Sequence, residues 1–196
     1  MNLRRMLIAA MAGLVGCGAA SVAMAAPASK GKSSASEARP AATGSVGAEP
    51  TLIGQFGTWG AYMAAPGGKK VCFVLAKPSS SKTTPANRPR DPAYAFISTR
   101  PSEKVVNEVS VMIGYPLKPG SESTMEVGGA SFAMYTQGDG IWIKNAAEED
   151  RLVEALRKSG EVTVKGVSAK GTATTDVFSL KGLAQALDKV AQNCGG

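Results

Sequence analysis

The chain has 196 residues and a mass of 20.0 kDa, one ordinary domain with something left over. Hydrophobic residues at 44% and charged residues at 19% exclude a multi-spanning membrane protein and a wholly disordered chain. Lys and Arg outnumber Asp and Glu by 22 to 15, a net charge of +7. There is no histidine, so Ser-His-Asp and Cys-His pairs, an HExxH zinc site and a histidine general base are all ruled out.

Arg4 and Arg5 precede an uncharged run that begins Met6-Leu7-Ile8 and continues in small residues, with Ala23-Met24-Ala25 at its end. A basic n-region, an apolar h-region and an A-x-A site in that order predict a secretory leader over 1–25, cut between Ala25 and Ala26. Leu14-Val15-Gly16-Cys17 supports a second reading, a lipobox in which Cys17 is acylated and becomes the mature N-terminus. Apolar character that runs on to Ala26 weighs for the later cut. A retained anchor is the third reading, and Gly and Ala dilute the run against it. All three place the body of the protein outside the cytoplasm, and loss of Arg4 and Arg5 lowers the net charge from +7 to +5.

Cys17 is removed or lipidated in either leading reading, which leaves Cys72 and Cys194. An even pair in an oxidising compartment predicts a disulfide between them. Closing so long a loop stabilises by roughly 4–5 kcal/mol in the chain-entropy treatment. The other reading is two unrelated thiols. CxxC spacing is absent, so neither redox catalysis nor zinc binding is supported.

Residues 26–50 hold no aromatic residue and almost nothing β-branched, and read as a disordered linker. The folded domain is expected over 51–196. Gln55–Met63 and Lys70–Ala76 read as strands joined by the Ala65-Pro66-Gly67-Gly68 turn. Tyr94–Thr99 is a further strand. Val105–Tyr115 alternates, with Val109, Val111 and Ile113 on one parity and Glu108 and Ser110 on the other, as a half-buried antiparallel strand does. Thr124–Val127, Ser131–Thr136 and Ile141–Lys144 follow, separated by Gly128-Gly129 and Gly138-Asp139-Gly140.

The period then changes. Asn145 with Glu148 forms a capping box ahead of Leu152, Val153 and Leu156, and Gly160 ends that helix. Glu161–Ser168 and Thr172–Phe178 return to strand. Ser179 is expected to cap a last helix whose apolar face is Leu180, Leu183, Ala184, Leu187, Val190 and Ala191. The expected class is α+β, predominantly antiparallel β: a sandwich or open barrel of about eight short strands with two helices in the C-terminal third.

One order of residues carries a resemblance. Trp59 is followed by Gly68 and Cys72, by Arg88-Pro89 and Tyr94, and by Thr99-Arg100-Pro101. Glu108-Val109-Ser110 leads to Gly114-Tyr115-Pro116. Gly166-x-Ser168-x-x-Gly171-Thr172-x-Thr174-x-Asp176-x-Phe178-Ser179-Leu180-x-Gly182 then runs toward Cys194. This resembles the invasion-associated locus B family of exported alphaproteobacterial proteins, over roughly Gln55–Cys194. The resemblance implies an envelope location and, for some members, a connection with host-cell invasion; it supplies no catalytic residues. Some relatives carry another cysteine soon after the tryptophan, where this chain has Gly60-Ala61-Tyr62, so a single disulfide is expected.

The segment Pro78–Pro92 is long for a connection and carries Lys82, Arg88 and Arg90. It is the candidate contact for an anionic partner: an envelope or host protein, or an anionic lipid or lipopolysaccharide surface. The plain alternative is a solvated loop. Nucleic acid is not expected, because the basic residues lack interleaved aromatics. Lys170-Gly171-Thr172 has the wrong order and flanks for a phosphate loop. A histidine-free hydrolase would have to draw on Glu108, Asp176, Ser110 or Ser168. Trp59, Tyr115 and Trp142 are expected in core or edge packing. The sequence therefore points to an exported, non-catalytic binding protein of the envelope, with no cofactor, no metal and no transmembrane span in the mature protein. A hydrolase and a structural lipoprotein acylated at Cys17 are the alternatives.

Overall fold

A computed structural model describes residues 49–195. The expected leader, Cys17, the expected cut between Ala25 and Ala26 and most of the expected linker lie outside the described residues.

Eleven strands form one antiparallel sheet. β1 (Thr51–Phe56), β2 (Trp59–Ala64) and β3 (Val71–Ala76) are a meander, and β4 (Ser80–Thr84) follows three residues after β3. β5 (Tyr94–Arg100), β6 (Val105–Met112), β7 (Ser123–Val127), β8 (Ala130–Gln137) and β9 (Gly140–Ile143) complete the first part. Helix α1 (Glu149–Lys158), strands β10 (Glu161–Val167) and β11 (Ala173–Ser179), and helix α2 (Leu183–Cys194) close the chain. The spatial order is β1-β2-β3-β5-β6-β9-β8-β7-β10-β11-β4.

This order explains why the sheet curls. β3 and β4 are joined by three residues, a reach of roughly 14 Å at most, yet they stand near opposite ends of the strand order. Only a sheet rolled on itself brings those positions together, which makes the fold an open barrel rather than a sandwich. One side-chain hydrogen bond crosses the opening: Trp59 Nε1, on β2, donates to Ser179 O at the end of β11 at 2.8 Å. Just ahead of β4, Ser79 N donates to Val177 O on β11 at 2.7 Å and so begins the pairing of that last strand.

The interior is built from the inward parity of the strands other than β1 and β4, and includes Cys72 and Val74, Ile97, Val109 and Val111, Ile141, Phe132, Val164 and Phe178. The helices cover it. α2 packs Leu183, Ala186, Leu187 and Val190 against β1, β2, β3 and β5, and α1 packs Leu152, Val153 and Leu156 against β6 and β7. Each large apolar side chain among these, once fully buried, stabilises by about 1.5–3 kcal/mol. Cys72 and Cys194 form a disulfide across 122 residues, with Cα atoms 6.0 Å apart. It fixes the last residue of α2 to β3.

Several expectations are corrected. The described residues form eleven strands, not about eight, partly because Gln55–Met63 is split between two strands. Gly57, at φ 58°, turns the chain between Phe56 and Trp59 inside what reads as one aromatic run. The segment Pro78–Pro92 is not wholly a loop, since Ser80–Thr84 pairs along β11 as the sheet's last strand. Polar side chains that suit a solvated edge hide β4 from hydrophobic patterning. Ser179 belongs to β11, and α2 begins at Leu183 after Gly182. Gly182 has φ 93°, and a Cβ there would overlap Phe56 O, so the start of this helix is set by a close backbone approach. The buried face of α2 uses Ala186 and Cys194 in place of Ala184 and Ala191. Asn145 does cap: its Oδ1 accepts from Ala147 N at 3.2 Å in the short turn that leads into α1.

Candidate functional site

The basic segment is the first place to look, and it divides. Lys82 on β4 and Arg88 beyond it are exposed. Arg90 is not a surface contact, which corrects its place in the expected basic set. Its guanidinium grips Asp176 with both terminal nitrogens, Nη1 to Oδ2 at 2.8 Å and Nη2 to Oδ1. Nη1 also donates to Ile113 O at 2.7 Å, and the ring of Tyr115 lies 6.0 Å away. The Asp176 side chain is fully buried, and the Arg90 side chain is only 10% exposed. A charge taken so far out of water needs a full set of partners, and Arg90 with Asp176 supplies it. Burial pushes the Tyr115 hydroxyl above its usual pKa, with Arg90 opposing and Asp176 adding to the shift. Alongside, Asp91 N donates to Gly114 O at 2.9 Å, and a Cβ on Gly114 (φ 86°) would overlap Asp91 O. The whole stretch 90–91 is thereby latched to the barrel wall.

The other residues considered for chemistry are also engaged. Ser168 Oγ accepts from Thr172 N at 2.9 Å, closing the β10–β11 turn. Glu108 accepts from both terminal nitrogens of Arg100, at 2.9 and 3.1 Å, and Arg100 Nε donates to Glu103 at 2.7 Å. Those carboxylates raise the Arg100 pKa, so its charge is permanent. Ser110 is buried to 7% exposure, not exposed as its parity suggests. Among the described residues no cluster of three or more His, Cys, Asp or Glu could hold a metal ion, and no helix is long and apolar enough to cross a membrane.

Glu149 does more than favour the helix start. Its Oε1 accepts from Val109 N at 2.8 Å, one residue beyond Ser110–Trp142, the last pair of β6 with β9. Burial holds its carboxyl above the ordinary glutamate range, against the lowering effect of that hydrogen bond.

The feature least expected from the sequence is the outer face of β2, β3, β5, β6, β9 and β8. A sheet face turned away from its core is normally polar. Here cross-strand pairs place Tyr62 beside Phe73, Leu75 beside Phe96, Tyr94 beside Met112, and Trp142 beside Tyr135. Tyr62 stacks on Phe73 at 5.3 Å and Tyr135 on Trp142 at 5.6 Å between centroids. The Lys77 ammonium lies 5.5 Å over the Tyr94 ring.

Between Phe96 and Trp142 the intervening strand carries only Ser110. The result is a shallow groove of about 320 Å³ with aromatic walls, a serine floor, Met112 at one end and Arg100 with Glu108 at the other. Trp142, expected in the core or at an edge, is half-buried on this face, while Trp59 is in the core. A sequence signal did exist. In KVCFVLA and YAFIST both parities are apolar, one parity more than a half-buried strand needs.

The family model described as Invasion associated locus B (IalB) protein matches residues 59–191. No curated protein and no solved structure matches the chain.

Proposed function

The chain belongs to the invasion associated locus B family, and from that premise we propose that it is an exported, non-catalytic envelope protein that docks a partner on the outer face of its sheet. The observation that carries this reading is the aromatic face itself. Half-buried aromatic side chains gathered on one sheet surface, with Tyr135 exposed among them, leave apolar area in water, and such patches mark interaction sites. The signal-like segment over 1–25 and the even cysteine pair support placement in the periplasm or at the outer membrane.

A non-catalytic role is supported by where the reactive groups go. Asp176 is consumed by Arg90, Glu108 by Arg100, and Ser168 by its own turn. The residues that carry the family resemblance also serve the framework: Trp59, Gly114, Ser168, Asp176 and Gly182 each hold two parts of the chain together. Arg100, Glu108 and Ser110 of the same motif line the groove on the outer face, so the shared pattern reaches the proposed docking surface as well as the framework.

The test is photocrosslinking in intact cells that express the full chain. A photoreactive residue at Tyr135, on the face, is expected to form adducts. One at Arg88, on the basic segment, is not.

A further inference from the structure

Within the docking reading just given, on which this rests, we propose that the groove between Phe96 and Trp142 binds a sugar ring of a neutral, β-linked N-acetyl amino-sugar strand. The spacing is the first argument. Phe96 and Trp142 stand on strands separated by one other, so their Cα rows are roughly 9–10 Å apart. A saturated ring in van der Waals contact with an aromatic face on each side, at about 3.5–4.0 Å per contact, needs the two faces about 8 Å apart.

The tryptophan wall is held in place by its neighbours. Trp142 leans along its own strand over Gly140, where any side chain would strike the indole, and it stacks on Tyr135 at an interplanar angle of 21°. Tyr135 stands on β8, on the far side of Trp142 from β6, and the indole lines the groove. Ser110, whose neighbours in register are Phe96 and Trp142, leaves the space between them open.

Charge is the second argument, and it separates a glycan from an anionic surface. At the polar end Arg100 is bound by Glu103 and Glu108, and Lys104 sits in the same turn, so these four charges cancel. A guanidinium has five donors, and this one gives four hydrogen bonds, to Glu103, Ser98 and Glu108. One donor and several carboxylate lone pairs remain, lying in flat and fixed planes. That is a neutral array of donors and acceptors, suited to hydroxyls and to an amide. It offers a phosphate or a lipid headgroup no net attraction.

The ends of the groove differ in the same way as the edges of an N-acetyl amino sugar. The acetyl methyl at one edge fits Met112, whose Cε lies over Gly140. The hydroxymethyl group across the ring fits the Arg100–Glu108 end.

The chain's two tryptophans make the test direct. Trp59 is 2% exposed and Trp142 lines the groove, so a change in emission on ligand addition reports Trp142. Titration of the mature protein with the tetramer of N-acetylglucosamine is expected to give a saturable shift. S110F, which fills the groove from its floor, should weaken it at least ten-fold with an unchanged melting temperature. Trp142→Leu should remove binding measured by calorimetry, which keeps the test usable if S110F misfolds. Absence of a saturable response, or one that survives both variants, would overturn the proposal. So would binding of galactose-terminated, host-type oligosaccharides in preference to the amino-sugar tetramer. If no sugar binds while Tyr135 still crosslinks to a protein, the glycan is wrong and the docking face stands.

Discussion

Arg90 carries a large share of this molecule's order. In the sequence it has the same standing as Lys82 and Arg88, because a basic residue among prolines reads as a solvated charge. What distinguishes it lies 86 residues away, in the carboxylate of Asp176. Asp176→Asn leaves a guanidinium with 10% exposure facing a neutral amide, and should destabilise by about 3–5 kcal/mol. Arg90→Met should cost a similar amount. The double variant Arg90→Met with Asp176→Leu should be less destabilised than the two single changes summed, measured by denaturant unfolding. Strict additivity would show that the pair is not coupled.

Glu149 gives the residue scale its pH dependence. Its carboxyl titrates higher in the folded chain than in the unfolded one. The stability it contributes is therefore complete below the unfolded pKa and is lost as pH rises through the folded one. Glu149→Gln keeps an oxygen for Val109 N and cannot ionise, so its melting temperature at neutral pH should equal or exceed that of the parent. The parent should approach or overtake it as the pH is lowered. A variant that falls further below the parent as pH rises would reverse the sign.

At the scale of elements, the alternating strands and the period of α1 were legible, because each is written in adjacent residues. Elements set by distant partners were not. β4 exists because β11 offers it an edge, and SSKTT contains no apolar stripe to announce that. The split of β1 from β2 depends on two residues at a tight turn, and the start of α2 depends on Gly182 against Phe56 O. The disulfide was legible from cysteine parity once Cys17 is set aside with the expected leader, and in the fold it holds the last turn of α2 over β3. Replacing Cys72 and Cys194 together with Ala should lower stability by about 2–4 kcal/mol. A non-reducing peptide map should show the two cysteine-containing peptides linked, and separate peptides would show that the bridge does not form.

For the whole molecule, the roll of the sheet decides what is inside. Closing the curl from β2 to β11 buries one parity of every strand except β1 and β4 and turns the second parity outward. Over most of β7, β10 and β11 that second parity is Thr, Glu, Lys and Ser, the expected dress of a solvated sheet. From β2 to β8 it is rich in Tyr, Phe, Met and Trp. One half of the outer surface is thus polar and the other aromatic. The basic charge that dominates the composition is spread elsewhere. Many of its cations pair with acids, and Lys82 and Arg88 sit at the far edge of the sheet. The measurement that bears most directly on the docking face is photocrosslinking in intact cells from Tyr135 and, separately, from Arg88. Adducts are expected from Tyr135 that disappear when Phe96 and Trp142 are both changed to Ser, with the fold intact, and none from Arg88. Adducts from Arg88 together with none from Tyr135 would place the working surface on the basic segment and contradict the docking face.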